Sequence, residues 1–191
     1  MKYVKKEGQG TLFKYKWLEV FTKTNPLIHL VTYGLAAAIF LYLNELDVQT
    51  TTWLFLLGAL AWTFVEYIIH RFLFHIKESN FQYVIHGVHH EYPRDKERLM
   101  MPPLPGAVLV LTFYAFWYVL LRDFAPAFMS GFIIGYMLYT FIHYMVHAFK
   151  PVKPIKFFWA HHHKHHNPMY ENKAFGVSTD LWDRVFGTMP R

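Results

Sequence analysis

The chain has 191 residues, enough for one domain with a sizeable core, and at 54% apolar and 20% aromatic it is richer in such residues than soluble domains usually are. It contains no cysteine, which excludes disulfides and thiolate metal sites together, so any metal must be held by nitrogen or oxygen. The net charge of +6 falls in blocks flanking apolar runs, a pattern of orientation and anionic-lipid contact that gives no sign of nucleic-acid binding.

Residues 1–26 form a polar lead-in carrying Lys2, Lys5, Lys6, Lys14, Lys16 and Lys23, too long before the first apolar run for a cleavable signal peptide. Within it, LFKYKWLEVF places Phe13, Trp17, Val20 and Phe21 on one helical face with Lys14 and Lys16 turned away, as in a helix lying in a membrane interface. Thr24, Asn25 and Pro26 then read as a cap and first-turn proline. Four apolar runs follow, at about 27–43, 52–69, 104–121 and 126–142. At about 1.5 Å per residue each comes close to the ~30 Å bilayer core, and none carries the polar stripe of a helix in a soluble bundle.

Basic residues orient these runs. The lead-in, the segment with Arg71, Lys77, Arg94, Lys96 and Arg98, and the tail after His147 are basic, whereas 44–51 holds only Glu45 and Asp47, and Arg122 stands beside Asp123. Both termini and the long middle segment are therefore expected on the cytoplasmic side.

The sequence contains thirteen histidines, and all but His29 fall between positions 70 and 166. They group as His70 and His75, then His86, His89 and His90, then His143 and His147, then AHHHKHH at 160–166. A purification tag would sit at a terminus, whereas this last cluster is followed by FGVSTDLWDRVFG. The topology, derived without reference to histidine, brings all four groups to one membrane face. Spacings of three and four put His86, His89 and His90 on one helical face, likewise His143 with His147, and His162 with His165 and His166. His70 and His75, five apart, lie about 140° from each other on an ideal helix, so the helix deforms or ends between them, or they serve different sides of a site. Ten protonated imidazoles gathered at one face would repel and be costly to desolvate, while neutral imidazoles on cations avoid both penalties. One ion accepts four to six ligands, so ten imply two metals, and all-nitrogen ligation admits iron, zinc, copper, nickel or cobalt. His161 and His163 fall outside the spacing pattern, and His29 reads as a satisfied polar residue. Glu66, four residues before His70, is placed to accept its free ring N–H.

The stretches EYIIHRFLFH, HGVHHEYPRDKERLMMPP, GYMLYTFIHYMVH, AHHHKHH and FGVSTDLWDRVFGT resemble, in order and spacing over about 66–188, the fatty acid 2-hydroxylases of the fatty acid hydroxylase/sterol desaturase superfamily. The resemblance implies an all-α integral membrane protein whose four transmembrane helices carry a cytoplasmic histidine-rich helical cap with a dinuclear metal site, the membrane domain running over 27–191. It implies as metal ligands His70, His75, His86, His89, His90, His143, His147, His162, His165 and His166, the same ten that spacing selects. Two irons, dioxygen and electrons would hydroxylate an acyl chain, with zinc able to occupy the site in purified protein. Tyr136 and Tyr139, one and two turns before His143, border either substrate or the interface. Thr140 stands where some relatives have an acidic residue, so a different lipid head group is one consequence. Eukaryotic members often carry an N-terminal haem-bearing cytochrome domain. Residues 1–26 leave no room for one, so a separate electron donor is expected.

Two other readings compete. A sterol or carotenoid oxygenase of the same superfamily would share the histidines but resembles these flanks less. A metal transporter or metal-buffering protein would want ionisable groups at mid-membrane, whereas only Glu66 and His29 lie inside the apolar runs at all. Metals at head-group depth, against about 1.3 Å of depth per chain carbon in a ~30 Å core, would reach the first carbons beyond a carboxyl, with carbon 2 the best single choice.

Overall fold

A computed structural model describes residues 4–76, 79–170 and 172–190, and among these the regular structure is entirely helical. The helices are α1 (Lys16–Val20), α2 (Pro26–Tyr42), α3 (Val48–Ile69), α4 (Asn80–Gln82), α5 (Val88–Glu91), α6 (Pro103–Leu121), α7 (Ala125–Ala148), α8 (Lys156–His165) and α9 (Leu181–Val185). The four apolar runs expected to be helical are α2, α3, α6 and α7. Helix α7 continues beyond the expected end at 142, so His143 and His147 sit in its last turns.

Local chemistry sets the ends. Asn25 Oδ1 accepts the Ile28 N–H at 2.9 Å with Pro26 as first helical residue, and Asp47 caps α3 through the Thr50 N–H at 3.0 Å. Arg122, at φ 51°, breaks the chain between α6 and α7. Helix α3 runs on into a π turn at His70–Phe74, and a second π turn, Tyr83–Gly87, joins α4 to α5. These wide turns bring residue i+5 over residue i and recur at functional sites. They resolve the spacing of His70 and His75, because the helix deforms across one and ends at the other.

Helices α3 and α7 are in backbone contact at two glycines. A β-carbon on Gly58 would lie 2.0 Å from the Phe128 carbonyl oxygen, and one on Gly131 1.9 Å from that of Phe55. Small residues at such crossings are how apolar helices associate where burial of greasy surface gives no net gain. Trp62 fills the space beside them, edge-on to Phe132 at 5.1 Å.

The outside of this bundle is apolar. Leu27, Leu30, Val31, Leu35 and Ile39 on α2 and Val108, Leu111 and Val119 on α6 are exposed. Two stretches, Val48–Phe74 with α3 and Lys96–Ala148 with α6 and α7, are long and apolar enough to cross a membrane, with mean hydropathies of 1.6 and 1.9. Only 22% and 6% of their apolar windows are buried, unlike the core helices of a soluble protein. Pro26–Tyr42 is apolar but shorter.

The lead-in is tied down. The Gly10 N–H donates to Asp95 at 3.0 Å, Arg98 donates to the Gly10 carbonyl and Thr22 and pairs with Glu19, and Lys6 meets Glu91 at 2.5 Å. The helix expected over LFKYKWLEVF is confined to the five residues of α1, which leaves Phe13 outside it, and Trp17, Val20 and Phe21 on and beside α1 are exposed.

Candidate metal centre

The ends of α3 and α7, the π turn leading into α5, and α8 converge on one cluster of ten imidazoles. Five ring nitrogens, from His70, His75, His86, His90 and His165, lie within 4.8 Å of one another. A second set within the same limit comes from His89, His147, His162 and His166. His143 joins this second set, its Nε2 lying 3.1 Å from that of His89. The sets adjoin where the His90 and His166 rings stack at 4.2 Å.

The trios expected to share a face are divided. His86 stays with His90 and His162 with His166, the i, i+4 partners, while the i+3 residues His89 and His165 each cross to the other set. At about 100° per residue, positions three and four along diverge by about 100°, so a helix passing between two centres feeds both. The π turn running into α5, and α8, each divide their histidines between the two sets in this way.

These residues fit metal ions on their own geometry. Nε2 to Nε2 distances of 3.2 Å for His70 and His86, 2.9 Å for His86 and His90, and 3.0 Å for His89 and His166 put lone pairs against one another, where at most one proton per pair can sit. The Nε2 atoms of His75, His147 and His165 are buried without a hydrogen-bond partner. Nitrogens left this way in a protein interior are costly, and a cation at the focus of each set satisfies them together. The opposite ring edges are fixed: His70 Nδ1–H donates to the Phe175 carbonyl at 2.6 Å, His143 to Leu99 at 3.0 Å and His165 to Lys173 at 2.9 Å. Such bonds select the tautomer whose Nε2 lone pair faces the metal.

Glu66 does not touch His70, contrary to the sequence reading. Its Oε1 accepts the N–H groups of Val177 at 2.6 Å and Ser178 at 3.0 Å, and the Ser178 hydroxyl bonds its Oε2. The ring N–H expected to meet this carboxylate goes instead to the Phe175 carbonyl, two residues earlier in the loop Glu66 anchors. Glu66 therefore acts on His70 through the loop, one step removed. Asp183 is the second anchor and was not singled out in the sequence. Wholly buried, it accepts from the N–H groups of Phe175 at 3.0 Å and Gly176 at 2.8 Å and from Thr188 Oγ1 at 2.6 Å, and faces His161 Nε2 at 3.0 Å. His161, expected to be spare, is thus a buried partner of that carboxylate. FGVSTDLWDRVFG carries two aspartates, Asp180 and Asp183, and only the second is flanked by Trp182 and an apolar run that would bury it, which was the available signal. His163 lies half-buried on the Trp159 ring at 3.9 Å.

Where the cluster meets the helical bundle, Tyr139 stacks on His143 at 5.9 Å, and Thr140 Oγ1 meets His29 Nε2 at 2.9 Å. His29 also contacts the rings of Tyr33 at 4.5 Å and Tyr136 at 5.4 Å. Its isolation in sequence hides a buried polar group formed with α7.

Burial lowers the histidine pKa values, His75 from 6.5 to about 4 and His165, with added repulsion from His75, to about 3. Burial and mutual repulsion push His86, His90, His162 and His166 well below 6.5. A folded-state pKa below the unfolded value means the unfolded chain takes up protons first as pH falls. The stability these groups contribute is complete above 6.5 and is lost as pH falls toward about 4 for His75 and about 3 for His165. Metal-free protein is expected to melt at steadily lower temperature from pH 7.5 to pH 5, and metal-loaded protein to resist, since bound imidazole cannot protonate. Equal melting temperatures of the metal-free form at the two pH values would mean that the imidazoles are already hydrated.

Residues 55–188 match the family model described as fatty acid hydroxylase. A fatty acid 2-hydroxylase of Rattus norvegicus is 45% identical over 71% of this chain and 39% of its own length. A dihydroceramide fatty acyl 2-hydroxylase of Arabidopsis thaliana is 38% identical over 70% of this chain and 59% of its own. A ceramide very long chain fatty acid hydroxylase of Saccharomyces cerevisiae is 35% identical over 95% and 50% respectively. The chain thus spans less than two thirds of the length of these relatives. The solved structure of full-length scs7p, in which only the hydroxylase domain is visible, superposes with a TM-score of 0.83 at 33% identity, over 92% of this chain and 70% of that one. With the family model covering most of the chain and including all ten clustered histidines, the chain belongs to the fatty acid hydroxylase family.

Proposed function

We propose that this chain is a membrane-bound di-iron oxygenase that hydroxylates carbon 2 of a fatty acyl chain, using dioxygen and electrons from a separate donor. The observation that carries the reading is the division of ten buried histidines into two adjoining sets with unpartnered Nε2 atoms turned inward, in a chain whose relatives are named for fatty acyl 2-hydroxylation. When bound, the iron pair supplies the redox chemistry of dioxygen that acyl C–H hydroxylation needs. Overall, one oxygen atom enters a C–H bond and the other leaves as water, with two electrons and two protons consumed.

The protein's own residues do the rest. The carbonyls of Phe175, Leu99 and Lys173 hold His70, His143 and His165 with their Nε2 atoms inward. Burial of the cluster excludes water that would divert reducing equivalents. Tyr136, Tyr139 and Thr140 on α7, one to two turns into the bundle from His143, and His29 beside them on α2, are assigned to border the acyl chain just beyond the carbon that reacts. The apolar exteriors of α2, α3, α6 and α7 support four membrane crossings, and the basic flanks support a cytoplasmic position for both termini and the cluster.

Depth favours carbon 2. The ligands occupy the ends of α3 and α7, at head-group level in this topology, and at about 1.3 Å per carbon against a ~30 Å core only the first few carbons lie that high. Expression in a host without hydroxylated lipids, with a compatible electron donor, is expected to yield 2-hydroxy fatty acids, located by mass spectrometry of released acyl chains. Oxygen at mid-chain, at the terminal methyl, or in sterols alone would overturn the assignment. Metal flux without oxygen consumption would support a transporter instead.

A further inference from the structure

The metal cluster is closed by protein over most of its surface, yet two of its histidines border a surface cavity of about 410 Å³. His147 and His166 form part of its wall, and Lys5, Arg94, Lys96 and Lys150 line it without a single carboxylate. These four cations have no acidic partner among the described residues, although their neighbours Lys6 and Lys23 are paired with Glu91 and Glu97. The folded lead-in supplies Lys5, the segment after α5 supplies Arg94 and Lys96, and the turn after α7 supplies Lys150, so only the tertiary structure assembles the patch.

The cavity also reaches the cluster through stacked rings. Trp159, on its wall, lies face to face with His163 at 3.9 Å and 21°. His163 in turn stacks on His147 at 5.7 Å and 28°. Neither Trp159 nor His163 belongs to the two ligand sets. Electron tunnelling falls off exponentially with distance, and contiguous π systems keep the gaps short.

We propose that this cavity is the electron-entry port, and that its partner is a small redox protein presenting an acidic face around its redox group. The inference rests on the oxygenase reading, because only a centre that consumes electrons needs a port. Each encounter would pass one electron from the donor to the centre held by these histidines, so two encounters would supply the two electrons that each dioxygen needs. Unneutralised cations around a concave opening would accelerate the approach of such a donor. Anionic lipid head groups would use the same cations, but would make no use of a stacked path to a ligand histidine.

The test uses the full chain, iron-loaded in detergent, with a reduced acidic [2Fe–2S] ferredoxin of plant type as probe. Stopped-flow reduction of the ferric centre is expected to slow at least about tenfold between about 20 and about 500 mM salt. The combined variant Lys5→Glu, Arg94→Glu, Lys150→Glu is expected to lose a similar factor at low salt. Its iron content, melting temperature and reduction by methyl viologen radical should match the parent, because that small mediator needs no docking. A ferredoxin rate indifferent to both salt and charge reversal overturns the inference. If that indifference is accompanied by loss of binding to phosphatidylserine vesicles, the patch is a lipid contact. Failure of the parent chain to take up iron removes the oxygenase reading itself, and the port with it.

Discussion

Replacing His86, His147 or His165 with Ala is expected to abolish hydroxylation and to lower the metal content from two ions per chain toward one. His86 and His165 belong to the set completed by His70, His75 and His90, and His147 to the set around His89, so ion loss should follow that division. Removing one imidazole leaves an open coordination position and strands its neighbours' lone pairs in a buried space. Elemental analysis reads this directly. Iron is expected in the active form, with zinc readily displacing it, since imidazole sites bind Zn²⁺ more tightly than Fe²⁺. The comparison variants are His29→Ala and His163→Ala, which lie outside both sets and should keep two ions. Equal loss across all five variants would show that the partition has no bearing on binding.

Asp183→Ala is expected to be the most damaging change outside the ligands. Its carboxylate satisfies two backbone N–H groups and the Thr188 hydroxyl and faces His161, all in the interior. Each group left unpaired costs about 1–3 kcal/mol. The same loop carries the Phe175 carbonyl that fixes His70 and is held at its far side by Glu66 through Val177 and Ser178. Loss of either anchor should lower metal affinity by about 10 to 100-fold, the scale for groups that orient a ligand, and most strongly in the set containing His70 and His165. His161→Ala should lower the melting temperature, whereas the sequence pattern alone would have it tolerated. Metal titration and thermal melts of Asp183→Ala, Asp183→Asn and Glu66→Gln form the test. Unchanged affinity in an Asp183→Ala variant that still folds would make the carboxylate purely a matter of stability.

The helices, the cap at Asn25 and the ten clustered histidines were legible because each depends on near neighbours in the chain. Apolar runs reveal themselves by length, caps by a side chain reaching three residues ahead, and ligand pairs by i, i+4 spacing. Even the anomaly at His70 and His75 was visible as a conflict with helical geometry, though its resolution, a π turn, was not. What the sequence left open depends on where separate elements meet. Sorting the histidines into two sets required the angles at which α5 and α8 cross the cluster, since His89 and His165 leave their own trios. The partner of Glu66 proved to be a loop more than a hundred residues away instead of the histidine one turn along. His29, solitary in the chain, meets Thr140 only because α2 packs on α7. The basic cavity beside His147 draws its cations from three distant segments. The sequence by itself determined the inventory of donors and the helices that bear them, because both follow from local periodicity. Only the tertiary structure decided which donor faces which, because a polar side chain's partner is set by the packing of elements that the chain order does not bring together.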